Sequence, residues 1–331
     1  MPLRSLRLAY RTFRRERTYA LLNGVGLTVG LTCALVMLLY VWGELRVDGY
    51  HANSDRIVRL THVDEAADYG GGRTGIAKVP GPWGPAVLEA APEVEAAVRF
   101  RLLAPRLFER GDVRAYEPAG LFADATVFDV FSFSLLRGDP ATALAEPNAI
   151  VLSETTAARY FGDADPLGQP LRVEGEPLRV TGVMADVPAA SHFTFDYLIS
   201  LASDTSELVT QWNRTQFYTY LLLRAGTDPA AAEATIGEVL RARAPEEGGL
   251  AQTNPRLQPL RRIYLHSDLH REIGPTGDVG TVAAFGGLAL LVLLVAVVNF
   301  VNLTTARSAR RATEVGVRKA LGAPRSALVR Q

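Results

Sequence analysis

Two histidines four residues apart, His266 and His270 in HSDLH, could share one helix face and reach for a metal. Two nitrogens do not close a zinc site, which takes three or four protein ligands, so they read as surface or interfacial side chains. Asp163–Glu174 (DADPLGQPLRVE) places Asp at positions 1 and 3, Gly at 6 and Glu at 12, imitating an EF-hand calcium loop. Its position 5 is Leu167, which has no side-chain oxygen, and the LRV that follows alternates like a strand. The segment therefore reads as a turn between a helix and a strand. Asp68–Gly75 (DYGGGRTG) is glycine-rich and reads as a mobile loop; it lacks the Lys of a phosphate-binding loop. GxxxxGK[ST], GxSxG and HExxH occur nowhere in the sequence. The chemistry on offer thus points to no catalytic residue, no cofactor and no metal, and to a role carried by architecture.

That architecture is written in the charges. Residues 1–19 carry six Arg against one Glu, net +5, and residues 304–331 carry seven Lys or Arg against Glu314, net +6. Residues 43–280 hold the remaining 22 basic and 33 acidic side chains, net −11, and the runs 20–42 and 281–303 hold no charged residue. Membrane proteins sort charge this way because basic loops stay in the cytoplasm. Ala20–Trp42 and Thr281–Leu303 are each 23 residues. At 1.5 Å per residue each reaches roughly 34 Å, enough to cross a hydrocarbon core of about 30 Å. Tyr40 and Trp42 suit an interfacial aromatic belt. A cleaved signal peptide is the rival reading of the first run, but its apolar stretch is too long and GELRVDGYH after Trp42 offers no cleavage site. The rival for the second, a buried helix of a soluble core, does not explain the Arg cluster beside it.

Within the first span Gly26, Gly30 and Ala34 put small residues on one face. Either they permit close helix approach in lipid, or they reflect the general frequency of Gly in membrane helices. Asn299 and Asn302 near the inner end of the second span call for a contact with another helix or the interface. In residues 1–19, Leu3, Leu6, Tyr10 and Phe13 recur at helical spacing among Arg4, Arg7, Arg11 and Arg14, as in an amphipathic helix lying among headgroups. The one cysteine, Cys33, excludes an intramolecular disulfide, so the outer domain rests on its own core. Arg outnumbers Lys 33 to 2, but the acidic outer domain repels phosphate, which argues against a nucleic-acid partner.

Residues 43–280 read as α+β, since strands and helices do not alternate strictly. Arg56–Val63 alternates as a half-buried strand. Pro85–Val98 reads as a helix, and Val98–Leu107 and Val113–Phe122 as strands. Ser153 caps a helix that Gly162 stops after Phe161. Leu171–Val173 and Leu178–Val183 flank a turn at Gly175-Glu176. Phe217–Arg224 is a strand, Asp228-Pro229 opens a helix through Ala242, and Arg256–Leu265 is the last strand.

FDVFSFSLLRGDPATALAEPNAIVLSETTAARYFGDADPLGQPLRV (128–173) and VTGVMADVPAASHFTFDYLIS (180–200) resemble the periplasmic core domain of MacB/FtsX-type ABC-transporter permeases. NFVNLTTARSARRATEVGVRKALGAPRSALVRQ (299–331) resembles the start of the FtsX-like permease domain of the same family, with EVGVRKALGA its most specific part. The resemblance implies an outer domain, often two-lobed, between the first and second membrane helices, with two more helices to follow. It implies dimers or pseudo-dimers in the lipid bilayer of the bacterial inner membrane, served by separate cytoplasmic ABC ATPase subunits. Several such permeases work as mechanical transmitters. The sequence ends at Gln331, before a third or fourth helix, and so reads as the N-terminal part of such a permease. The expected division is 1–19 cytoplasmic amphipathic helix, 20–42 first span, 43–280 MacB-like periplasmic core domain, 281–303 second span and 304–331 cytoplasmic coupling region.

Glu314, Val315, Gly316, Val317, Arg318, Lys319, Ala320, Leu321, Gly322 and Ala323 match the family's coupling helix, the element that docks on the ATPase. Val317, Ala320 and Leu321 make a small apolar stripe, Glu314 and Arg318 pair at i, i+4, Gly322 can end a helix and Pro324 can begin the next. These features describe a short helix with sharp ends. A lipid-facing basic anchor is the rival. On the whole-chain scale the first function is a permease subunit coupling ATP hydrolysis by its partner to movement of the outer domain, for export or mechanotransmission. The alternative is a two-span membrane sensor with a periplasmic ligand-binding domain, which would continue into heptad-patterned coiled coil or a kinase. A membrane-anchored enzyme has no catalytic constellation behind it.

Overall fold

The computed structural model describes residues 17–64, 68–70, 73–243 and 254–321. The expected amphipathic helix before residue 17, and Gly322, Ala323 and Pro324, lie outside these residues. Helix α1 (Arg17–Glu44) leads through turns into β1 (Ile57–Val63), the short β2 (Gly75–Ile76) and β3 (Val79–Pro80), and helix α2 (Trp83–Ala90). The expected helix over Pro85–Val98 ends eight residues early. Ala91 precedes Pro92 and is extended (φ −102°, ψ 107°), as a residue before proline prefers, and the chain turns into β4 (Val94–Leu102). Two further prolines cut the next expected strands. Pro105 separates β4 from β5 (Arg106–Arg110), and Pro118 separates β6 (Val113–Glu117) from β7 (Gly120–Ala123).

After α3 (Val127–Val130), β8 (Leu135–Arg137) and β9 (Ala149–Ser153), helix α4 (Glu154–Phe161) forms where its caps place it. The Ser153 hydroxyl accepts the Thr156 N–H, and Gly162 takes φ 56°. Strands β10 (Pro170–Val173) and β11 (Glu176–Met184) make a hairpin whose two turn residues are Glu174 and Gly175, both at positive φ, one position earlier than expected. Next come β12 (Tyr197–Ser200), two short 3₁₀ turns, β13 (Thr215–Leu223) and α5 (Pro229–Arg243), where an Asp228 carboxylate oxygen accepts the Ala230 N–H. The expected last strand is half right. β14 (Asn254–Pro259) stops at Pro259, and Leu260–His266 is helix α6, burying Leu260 and Ile263 at i, i+3. Helix α7 (Val279–Ala320) closes the described chain.

The strands form one connected sheet in the order β14-β1-β13-β4-β7-β12-β9-β11-β10-β5-β6, mostly antiparallel, with β7 parallel to β12 and β9 parallel to β11. Fold class is α+β, with an apolar helix on each side of the domain in sequence. β1 is not half-buried: six of its seven residues are buried, because helices α2 and α5 cover one face and an aromatic cluster covers the other. Val58 and Leu60 meet Trp83, Val87, Ile236 and Leu240 on the helix side. Burying each such Leu or Ile is worth roughly 1.5–3 kcal/mol. On the other side stand Phe100, Phe131, Phe133, Phe193, Tyr218 and Tyr220. A third cluster around Phe108, Tyr160 and Tyr197 serves α4 and the β9–β12 end of the sheet.

Residues up to Gly43 and from Val279 form one compact unit, and Glu44–Asp278 the other. In the first, α1 and α7 run antiparallel. Tyr40 and Phe285 touch with ring centroids 5.1 Å apart, a Cβ on Gly30 would lie 3.0 Å from the Ala296 Cβ, and one on Gly26 would lie 3.3 Å from the Asn299 Nδ2. Ala34 is buried.

Candidate functional site

The second unit receives the chain from α1 and returns it to α7, and both junctions are held by buried polar side chains. The incoming segment, residues 44–55, crosses Asp48, a buried residue at φ 60°. Its N–H donates to the Ala190 carbonyl (2.8 Å), and its carboxylate accepts the His192 N–H (3.1 Å) and meets His192 Nδ1 (2.8 Å). His192 Nε2 lies 2.7 Å from the Tyr220 hydroxyl on β13. Burial raises the Tyr220 pKa, so that phenol stays protonated beside the imidazole. Beside them the Tyr50 hydroxyl meets Ser191 Oγ at 2.8 Å, and burial pushes it up to about 12. His51 Nδ1 accepts the Ser132 N–H (3.0 Å), while Ser132 Oγ accepts the Ala52 N–H (2.9 Å). The His51 ring stands edge-on to Phe131 and Phe133, and burial brings its pKa down to about 4.

The outgoing segment, residues 267–278, is gripped by β1 and β13. Arg59 on β1 is fully buried and forks onto the Glu272 carboxylate at 2.5 and 2.8 Å, with Gln258 Oε1 at 2.6 Å and Ser267 Oγ at 3.2 Å. Ser267 also donates to Glu272. Burial opposes the Arg59 charge, the bond to Glu272 is the largest of the contacts with Glu272 and Tyr220 that favour it, and the Arg59 pKa stands above the ordinary arginine value. Tyr218 donates to the carbonyls of Arg271 (2.9 Å) and Glu272 (3.2 Å), and Arg271 is held at φ 58°. The Tyr264 hydroxyl donates to the Glu44 carboxylate (2.9 Å), and the Tyr264 carbonyl accepts the Gly277 N–H (2.8 Å).

The residues that suggested metal chemistry are used elsewhere. His266 ends α6, while His270 lies beyond it, stacked on Tyr69, so the two do not share a helix face. Asp165 accepts the Leu167 N–H and pairs with Arg137, and Glu174 accepts the Leu107 N–H. The coupling segment also differs from expectation. α7 runs unbroken from Val279 to Ala320, so Glu314, Val315, Gly316, Val317, Arg318, Lys319 and Ala320 are its last two turns, not a separate short helix. TTARSARRAT, just before it, holds no Pro or Gly and several strong helix formers, so nothing there stops the helix. Val317 and Leu321 are exposed.

The family model for the MacB-like periplasmic core domain matches residues 20–239. The chain belongs to that family. The match begins inside α1, so most of the first apolar helix falls within the matched region. With a periplasmic domain between two apolar helices of spanning length, the chain is an inner-membrane protein of the MacB-like ABC-transporter permease class. A domain of a protein named as a permease from Porphyromonas gingivalis has the same fold, with TM-score 0.55 and 21% identity over 67% of this chain and 96% of that one. More distant are the periplasmic region of MacB from Actinobacillus actinomycetemcomitans (TM-score 0.47, 15% identity, 63% and 91% covered) and the extracellular domain of the noncanonic ABC-type transporter YknZ from Gram-positive bacteria (0.43, 12%, 61% and 99%). No curated protein matches the chain.

In this MacB-like domain the two segments that lead to the apolar helices are each fastened by buried polar bonds, the incoming one to residues 190–192 and the outgoing one to β1 and β13. The sequence reading found none of Asp48, His192, Tyr220, Arg59 or Glu272. Their only sequence signal is a lone Arg in the apolar run IVRL and a His between Ser and Phe.

Proposed function

We propose that this chain is the N-terminal part of a non-catalytic permease subunit that converts ATP hydrolysis by a separate cytoplasmic ATPase into movement of its periplasmic domain. The observation that carries the reading is the family match over a domain whose two connections to apolar helices are both fastened by buried polar side chains. Residues 43–280 are then periplasmic, with both termini cytoplasmic, as the basic flanks favour. Spans 20–42 and 281–303 cross the bilayer, Gly26, Gly30 and Ala34 form the packing seam between them, and the rest of their apolar surface faces lipid and a second permease copy. Glu314–Ala323 docks on the ATPase, and since Glu314–Ala320 ends α7, a push there is delivered along that helix.

Leu321→Asp in the whole permease is expected to abolish co-purification of the ATPase while leaving membrane insertion intact. Replacing Arg307, Arg310 and Arg311 with Gln should spare that association. If the Arg replacements release the ATPase and Leu321→Asp does not, the segment is an electrostatic lipid anchor. The sensor reading shares the topology, and a helical coiled coil or kinase after Gln331 would restore it.

A further inference from the structure

The incoming and outgoing segments lie more than 200 residues apart in sequence, yet both rest on the same short stretch, residues 190–193. From the incoming side, Asp48 N–H bonds the Ala190 carbonyl, Tyr50 meets Ser191, and the Asp48 carboxylate holds both the backbone and the ring of His192. On the outgoing side, Gly274 packs so tightly on this stretch that a Cβ there would run into the His192 carbonyl oxygen and lie 3.3 Å from the Phe193 Cα. β13 supports both ends from one face, Tyr220 through His192 and Tyr218 through the carbonyls of Arg271 and Glu272. Each segment also contains a non-glycine residue at positive φ, Asp48 at 60° and Arg271 at 58°. Side chains resist that conformation, so each residue stays there only while its surroundings hold it.

We infer that residues 190–193 are a bracket shared by the two junctions, so that releasing either segment from it loosens the other and the two segments switch as one unit. This goes beyond the permease reading and stands without it, because the coupling is internal to the domain. The rival is two independent anchorages that share a neighbour. Packed, hydrogen-bonded groups with two arrangements carry coupling between distant segments; proximity alone does not.

Hydrogen exchange on the full chain in detergent micelles separates the two. Gly274→Ala changes the outgoing segment where it presses on His192 and Phe193, and it is expected to speed exchange in peptides spanning residues 45–52 by roughly tenfold or more. Asp48→Ala perturbs the incoming side, and it should speed exchange in peptides spanning residues 268–278 by a similar factor. Exchange in residues 154–162, whose buried Ala157, Tyr160 and Phe161 belong to a different cluster, should stay unchanged in both. Should Gly274→Ala unfold the whole domain, Tyr50→Phe, which removes only the incoming segment's bond to Ser191 and adds no bulk, must speed exchange in residues 268–278 in its place. Exchange that rises only on the substituted side, in either variant, overturns the bracket.

Discussion

Arg59→Met is expected to destabilise the outer domain by about 3–5 kcal/mol, as removal of one member of a buried ion pair does. Arg59 is fully buried, and the Glu272 carboxylate it neutralises is itself only 13% exposed. Without the guanidinium, that carboxylate keeps only the Ser267 hydroxyl among the partners described, and Gln258 Oε1 keeps only the 3.5 Å contact with the same hydroxyl. The urea midpoint followed by tryptophan fluorescence, with Trp83 buried in the helix-side core, reads the loss. Arg59→Met combined with Glu272→Leu should recover most of it, because a matched apolar pair leaves no unpaired charge. A single variant that costs less than about 1 kcal/mol would show that water reaches this pair.

Acidification has the second large effect. Burial holds His51 and His62 neutral, each with a pKa of about 4 against an ordinary 6.5. Asp48 partly opposes the shift at His51 and His192 adds to it, while Asp64 opposes it at His62. The unfolded chain therefore binds these two protons first. The stabilisation is complete above pH 6.5 and is lost as pH falls toward 4, with each histidine worth on the order of 3 kcal/mol over the full window. The melting temperature of the domain should drop by about 10 °C between pH 7 and pH 5, where most carboxylates are still ionised. His62→Phe should remove about half of that slope. Neither nitrogen of His62 has a hydrogen-bond partner among the described residues, and its ring contacts with Tyr69 and Trp83 suit a phenyl group equally. A flat profile in the wild-type chain would mean that both imidazoles are hydrated in the folded state.

Local rules carried the sequence reading where one short segment decides its own structure. Ser153 and Gly162 bound α4, Asp228-Pro229 opens α5, and the uncharged runs are helical. It failed where proline overrode an apolar pattern, at Pro92, Pro105, Pro118 and Pro259, each of which ends or redirects an element. The junction residues were illegible for another reason. Asp48 and His192 are 144 positions apart and Arg59 and Glu272 are 213 apart, and no periodicity links such pairs. Arg59 occupies a polar position in an alternating run, the usual mark of a solvent-facing side chain. The aromatic cluster that covers its face is assembled from strands and loops as distant as Phe131 and Tyr220.

The proposed topology places the acidic domain outside the cell membrane on two helices whose far ends face the cytoplasm. A reporter active only in the periplasm tests it directly when fused after Glu146 or after Arg311. Activity at Glu146 and silence at Arg311 is the predicted result. Activity at both sites, or silence at Glu146, would contradict the account.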